Sequence, residues 1–163
     1  MSKAYQKPIP HPDRESEGFW EGCKAHELRI LRCNACGTYV HEPAPICHRC
    51  NAMDLSWQAV SGQGSVFTYA VVWAPTLPGF AEDVPYVVAW IELVEQPGLK
   101  LLSNVVGCEP RDVSVGMPVE VAFEDVTPDM TLYRFRPAHG GMASVAERRG
   151  GPRSGSPDDR RRP

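Results

Sequence analysis

In short segments of residues 58–137, large apolar side chains recur at every second position, which predicts β-strands in this part of the chain. The stretch 65–73 is the clearest case, because its aromatic and branched side chains fall on alternate positions, as the two faces of a strand require. Four further segments repeat the pattern, at residues 86–94, 99–106, 118–126 and 132–136. Five short strands with a long connection between the third and fourth are typical of a five-stranded OB-fold barrel. We therefore expect residues 58–137 to form such a barrel in a mainly β protein.

The first part of the chain follows a helical pattern instead. Phe19, Trp20 and Cys23 recur at helical spacing. Asp13 is a residue type that caps helix N-termini. Together they predict an N-terminal helix from Asp13 to about residue 26, followed by a strand at residues 28–32.

Two Cys-x-x-Cys pairs come directly after this strand. They are Cys33 with Cys36, and Cys47 with Cys50. Two residues between cysteines let the chain turn tightly, so that both thiolates point toward one tetrahedral ion. Gly37 and Asn51 follow the pairs and suit the positive φ angle that such turns need. The pairs therefore predict a rubredoxin-like zinc ribbon within residues 13–57, whose ion is structural because four thiolates leave no open coordination position.

The sequence alone leaves other uses of these cysteines open. Two disulfides would require an oxidising compartment, whereas the N-terminal segment carries no apolar export signal. Iron suits four sulfur ligands as zinc does. Cys23 and His26 could in principle donate to a second metal, but Cys23 fits better as a small buried hydrophobic residue.

Charge is distributed unevenly along the chain. Residues 58–137 hold four basic and ten acidic residues, a net charge of −6, whereas residues 138–163 hold six arginines and three acids, a net charge of +3. This last segment offers little apolar surface, so we expect a disordered tail. Residues 1–12 have three prolines and no apolar period, and we expect a flexible arm. No run of eighteen apolar residues occurs, so we do not expect a membrane span. We expect a cytoplasmic location.

The sequence contains no recognisable set of catalytic side chains. Acidic neighbours such as Glu82 and Asp83 are typical of solvated surface charge. The alternate aromatic residues Phe67, Tyr69 and Trp73 could form a stacking platform for nucleic acid. We expect them instead to line the barrel or its contact with the ribbon, and the negative charge of the barrel segment opposes phosphate binding.

The order of these motifs resembles the family of zinc-ribbon and OB-fold proteins long labelled domain of unknown function 35, the acyl-CoA-associated OB-fold proteins. The matching motifs are the helix with Phe19 and Trp20, the four-cysteine ribbon, and the segments 61–69, 85–89 and 115–119. The likeness covers about residues 14 to 137. Asn51 stands where glycine is common in the family, a change that the turn tolerates.

The resemblance implies a non-catalytic subunit that forms a hetero-oligomer with a thiolase-like enzyme, including acetoacetyl-CoA thiolases and lipid-transfer-type thiolases or aldolases. Such a subunit contributes to assembly and to the environment of the acyl-CoA thioester. Two apolar features could provide the partner or acyl-CoA interface. They are Phe19 and Trp20 on the helix, and the loop with Leu77 and Phe80 that leads to Tyr86.

The negative charge of the barrel segment would repel the anionic phosphate groups of CoA. Either the partner enzyme supplies the cations that meet these phosphates, or the ribbon half does so. The basic residues of the ribbon half are Lys24, Arg29, Arg32 and Arg49.

Overall fold

A computed structural model describes residues 5–74, 77 and 79–138 of the chain. Within these residues the protein is mainly β, as predicted: one α-helix and a three-stranded ribbon sheet precede a closed five-stranded barrel. The predicted disordered tail, residues 138–163, lies outside the described residues except for Ala138. In the described part of the chain, no helix has the length and apolar content needed to cross a membrane.

Strand β1, Arg29–Cys33, is the centre of the ribbon sheet. It pairs antiparallel with β2, Tyr39–Val40, on one edge and with β3, Leu55–Ala59, on the other. The sequence analysis predicts β1 but misses β3, and the predicted domain limit at residue 57 falls inside this strand. Strand β3 returns the chain from the second cysteine pair, along β1, to the start of the barrel.

The helix α1, Glu17–Lys24, begins one turn later than predicted. The Asp13 carboxylate accepts hydrogen bonds from the backbone N–H and the hydroxyl of Ser16, at 2.8 and 2.6 Å. Asp13 therefore closes a turn in front of the helix, and Ser16 takes the N-cap position. The prediction that Asp13 caps the helix is wrong, because its side chain is used within this turn.

The barrel has the five strands that the alternation predicts, close to the predicted bounds. They are β4, Gln63–Val72; β5, Tyr86–Leu93; β6, Lys100–Val105; β7, Pro118–Thr127; and β8, Met130–Pro137. Their order around the barrel is β4-β5-β6-β8-β7, and β4 pairs with β7 to close it. Strands β6 and β8 run parallel, with Val105 opposite Phe135. A 3₁₀ turn, Pro110–Asp112, lies in the long connection between β6 and β7.

One continuous core joins the helix to the barrel. Phe19 is 4% exposed and packs edge-on against Tyr133 of β8, with ring centroids 5.1 Å apart. Cys23, Leu28 and Ile30 belong to the same buried cluster as the inward side chains of β5 and β6. A second, smaller cluster lies beside the cysteine pairs. The helix and β1 therefore complete the barrel core, whereas the cysteine pairs have a small core of their own.

Beside this shared core, two further contacts join the ribbon sheet to the helix and to the barrel. Trp57 of β3 packs on the helix at Gly18, where a Cβ would lie 2.6 Å from two carbons of the indole ring. At the opposite edge, the Gln96 side-chain amide bonds to both backbone groups of Tyr39, accepting from its N–H at 2.9 Å and donating to its carbonyl at 3.3 Å. This amide satisfies backbone groups of the short strand β2 that would otherwise need water.

Candidate functional site

The two cysteine pairs have the same backbone hydrogen bonds. The Cys33 N–H donates to the Thr38 carbonyl at 2.9 Å, and the Cys33 carbonyl accepts from the Gly37 N–H at 2.8 Å. Cys47 repeats both bonds with Ala52 and Asn51, each at 2.9 Å. Gly37 and Asn51 take the predicted positive φ angles, +73° and +60°. The chain therefore forms two matched knuckles, and asparagine serves the turn in the position where glycine is common.

The four cysteine sulfurs have the spacing of a tetrahedral metal site. All four lie within 4.8 Å of one another, with Cys33 to Cys50 at 3.6 Å and Cys36 to Cys47 at 3.7 Å. Zinc–sulfur bonds of about 2.3 Å in a tetrahedron place the sulfurs about 3.8 Å apart. The residues therefore fit one zinc ion held by four thiolates, which agrees with the sequence prediction of a structural zinc ribbon.

One neighbouring polar group favours the thiolate form of Cys36. The buried Thr38 hydroxyl lies 3.2 Å from Cys36 Sγ, and the hydrogen bond between them lowers the pKa of Cys36 to about 6. The Arg49 guanidinium donates to the same hydroxyl at 3.4 Å. On the other side of the first knuckle, Arg32 donates to the Gly37 carbonyl at 3.1 Å and stacks over Tyr39. These contacts fix the first knuckle without adding a fifth ligand.

Cys23 and His26 do not join a metal site. Cys23 is fully buried, and burial raises the pKa of its thiol to about 12, as expected of a small hydrophobic side chain. The His26 ring stacks on Phe123, and its Nε2 lies 2.9 Å from the Asp125 carboxylate. In the part of the chain that the structure describes, the four-cysteine group is the one cluster with ligand atoms close enough to hold a metal.

The outer face of the barrel carries a strip of large apolar side chains. Thr68, Trp90 and Leu102 are successive neighbours across β4, β5 and β6, and Phe67 lies beside Thr68 where the register shifts by a bulge. Phe67 is 47% exposed, Trp90 39% and Leu102 46%. The Lys100 ammonium lies 3.3 Å from the centre of the Phe67 ring. We call Phe67, Trp90 and Leu102 the apolar strip.

The predicted location of three aromatic residues of β4 and the residue after it is wrong. Phe67, Tyr69 and Trp73 were expected to line the barrel or its contact with the ribbon, but all three are exposed. The bulge after Val66 interrupts the alternation, so simple counting of faces fails for Phe67. Trp90 and Leu102 were not predicted as surface residues of interest. Their positions between the inward residues of β5 and β6 were the signal that could have identified them.

The residues predicted for an interface are placed differently from one another. Phe19 is buried in the core, so it is a structural residue in this fold. Trp20 is half-buried beside Phe19 and Tyr133. Leu77 is exposed, whereas Phe80 and Tyr86 are half-buried, with ring centroids 5.7 Å apart and ring planes tilted by 36°. An interface at these residues stays a prediction.

Three basic side chains from outside the barrel segment contact acidic side chains of the barrel. Lys7 lies 2.7 Å from Asp83, Lys24 lies 3.6 Å from Asp129, and His26 lies 2.9 Å from Asp125. Hydrogen bonds from His26 and Thr131 lower the pKa of the Asp125 carboxyl. The acidic excess of residues 58–137 is therefore met in part by the N-terminal half.

Two family models match the chain in the order of its structural units. The model described as ChsH2, rubredoxin-like zinc ribbon domain, matches residues 20–55. The model described as ChsH2, C-terminal OB-fold domain, matches residues 57–124. The two matches correspond to the observed ribbon and to most of the barrel.

Curated proteins and a solved structure show the same likeness. The probable enoyl-CoA hydratase alpha subunit of Thermomonospora curvata is 39% identical over 132 residues, which is 81% of this chain but 40% of the relative's length. A DUF35 domain-containing scaffold protein of Methanocaldococcus jannaschii is 37% identical over 127 residues, covering 72% of this chain and 87% of that protein. A chain of the Ltp2-ChsH2(DUF35) aldolase superposes with a TM-score of 0.72 at 38% identity, covering 78% of this chain and 98% of that one.

Proposed function

The chain belongs to the DUF35 family of zinc-ribbon and OB-fold proteins, and on that premise we propose that it is a non-catalytic accessory subunit of a thiolase-like enzyme. It forms a hetero-oligomer with a thiolase or a lipid-transfer-type thiolase or aldolase and helps to handle the acyl-CoA substrate. The partner performs the bond chemistry. One relative is described as a scaffold protein and another is a chain of an aldolase, and both descriptions support this role.

The apolar strip is the observation that carries the proposal. A soluble protein rarely leaves neighbouring large apolar side chains uncovered on one sheet face unless that face binds a partner. Aromatic residues are enriched at the centres of protein interfaces, and Phe67 and Trp90 are of this type. Trp73 and Leu77, beyond the end of β4, are exposed as well. We assign the partner interface to this side of the barrel.

The acid–histidine pair of His26 and Asp125 resembles part of a catalytic triad. The Thr131 hydroxyl donates to the same carboxylate at 2.7 Å, so it faces the acid and not the imidazole. This pair links the end of the helix to the β7–β8 hairpin, which supports leaving the chemistry to the partner.

The proposal is tested with the native protein and substitutions in the apolar strip. A thiolase-like enzyme should co-purify with the affinity-tagged full chain. Trp90→Ala and Leu102→Ala should each weaken that complex by about 2 kcal/mol or more, close to thirtyfold in Kd, while zinc content and thermal stability change little. Acyl-CoA turnover by the reconstituted complex should fall in parallel with complex formation.

Met53→Ala is the matched control, because Met53 is an exposed large side chain on the ribbon, away from the strip. Nucleic-acid binding is the rival function, and the same variants should be measured against a single-stranded oligonucleotide. Tight oligonucleotide binding that depends on Phe67 and Trp90 would favour the rival. Turnover of an acyl-CoA by this chain alone, or failure of any thiolase-like protein to co-purify, would refute the proposal.

A further inference from the structure

The N-terminal arm has the sequence of an extended, proline-containing segment. Lys7, Ile9 and His11 each precede a proline, and a residue before proline is restricted to extended or polyproline conformations. The structure assigns no helix or strand to residues 5–12. Such a segment has little conformational entropy to lose on binding, which is why aromatic-lined grooves recognise proline-rich segments.

The arm lies along an aromatic-lined groove and forms one of its walls through Tyr5, Lys7, Pro8 and Pro10. The groove has a volume of about 370 Å³ between the arm and the outer face of β5 and β6. The residues facing the arm include Trp20 of the helix and Phe80, Tyr86, Val88 and Leu102. Leu102 belongs to the apolar strip as well, so the arm borders the surface that we assign to the partner enzyme.

One ion pair and one close backbone contact position the arm. The Lys7 ammonium lies 2.7 Å from the Asp83 carboxylate and 5.4 Å from the centre of the Phe80 ring. The Lys7 side chain is 22% exposed, which is low for a lysine and indicates a specific contact. Gly79, at φ +87°, lets the Gln6 carbonyl approach within 2.9 Å of where a Cβ would stand. A side chain at position 79 would push the arm away.

We propose that the groove formed by the outer face of β5 and β6 with residues 79–86 is a recognition site for an extended, proline-containing segment with one basic residue, and that the chain's own arm occupies it in cis. The aromatic residues hold the proline-rich backbone, and Asp83 selects the basic side chain. The function of this arrangement rests on the proposed partner role: the arm covers part of the binding face until a segment of the same chemistry displaces it.

The site is tested by binding of a synthetic peptide with the sequence of residues 5–12, labelled with fluorescein, to the full-length protein. Lys7→Glu places a carboxylate against Asp83 and should release the arm from the groove. The peptide should bind this variant at least about tenfold more tightly than the wild type, because a tethered arm competes at roughly millimolar effective concentration. Fluorescence anisotropy gives both dissociation constants.

Controls separate recognition from general charge effects. Lys24→Glu removes a lysine that pairs with Asp129 outside the groove, so this variant should bind the peptide as the wild type does. A peptide that itself carries Lys7→Glu should bind neither protein. Lys7→Ala gives a second released variant should Lys7→Glu lose zinc or thermal stability. The proposal would be overturned if the peptide bound the wild type and the released variants equally, or if it bound none of them. It would also be overturned if the peptide carrying Lys7→Glu bound as well as the unaltered peptide.

The two proposals fail independently. The peptide measurements need no enzyme, so they can support the groove even when no thiolase-like partner is found. Conversely, the enzyme complex could form through the apolar strip while the peptide fails to bind. That result would support the accessory role and refute the recognition site in the groove.

Discussion

Loss of one cysteine of the metal site should unfold the knuckles and leave the barrel folded. The cluster beside the cysteines contains two buried aliphatic side chains, Leu31 and Val40, and burying each contributes about 1.5–3 kcal/mol. A structural zinc ion contributes about 10–16 kcal/mol at neutral pH. The metal is therefore the dominant stabilising interaction of this segment, and Cys36→Ser should abolish stoichiometric zinc binding. The barrel has its own, much larger buried cluster, so its cooperative thermal transition should remain.

The matched comparison is Cys23→Ser, because Cys23 is a buried cysteine in the barrel cluster and not a ligand. The hydroxyl introduced by this substitution would be buried without a hydrogen-bond partner, which costs about 1–3 kcal/mol and should lower Tm. Zinc content, measured by atomic emission, should stay at about one ion per chain in Cys23→Ser and fall close to zero in Cys36→Ser. Equal zinc loss in the two variants would refute the ligand assignment.

Two further predictions concern the packing around the helix. Gly18→Ala should lower the free energy of unfolding by up to about 2 kcal/mol in denaturant titrations, because the overpacking against Trp57 costs about 1–3 kcal/mol and the gain in helix propensity is about 1 kcal/mol. An increase in stability would contradict the close contact. Burial lowers the pKa of His41 in the folded protein. The contribution of His41 to folding stability is therefore fully present above its pKa in the unfolded chain, about 6.5, and is lost as pH falls through its folded pKa. His41→Gln should therefore reduce the loss of folding stability between pH 7 and 5. An unchanged dependence of stability on pH would show that protonation of His41 does not cause this loss.

The elements that depend on local pattern were predictable from sequence. Paired cysteines at fixed spacing determine both knuckles, and inward residues such as Ile91 and Leu101 recur at every second position of their strands. Strand β3 was missed although Leu55, Trp57 and Ala59 do alternate, because five residues beside the second knuckle give a weak signal.

The features that depend on tertiary contacts were not predictable. Helical spacing placed Phe19 and Trp20 on one side of the helix, but the packing against Tyr133 decides that Phe19 is buried and Trp20 is not. A single bulge after Val66 decides which way Phe67 faces. The contact between Lys7 and Asp83 joins residues far apart in sequence, so no local pattern could indicate that the arm lies in a groove.

The distribution of charge gives a final argument about how acyl-CoA would be held. The sequence left open whether cations of the ribbon half meet the CoA phosphates. In the structure each of the four has a contact within the chain: Lys24 with Asp129, Arg29 with Glu27, Arg32 with a backbone carbonyl and Arg49 with Thr38. The four contacts go to four different acceptors, and exposed pairs are worth at most about 1 kcal/mol. Under the proposed function, the phosphate-binding cations are therefore expected from the partner enzyme, and this chain's contribution to the acyl-CoA site is apolar.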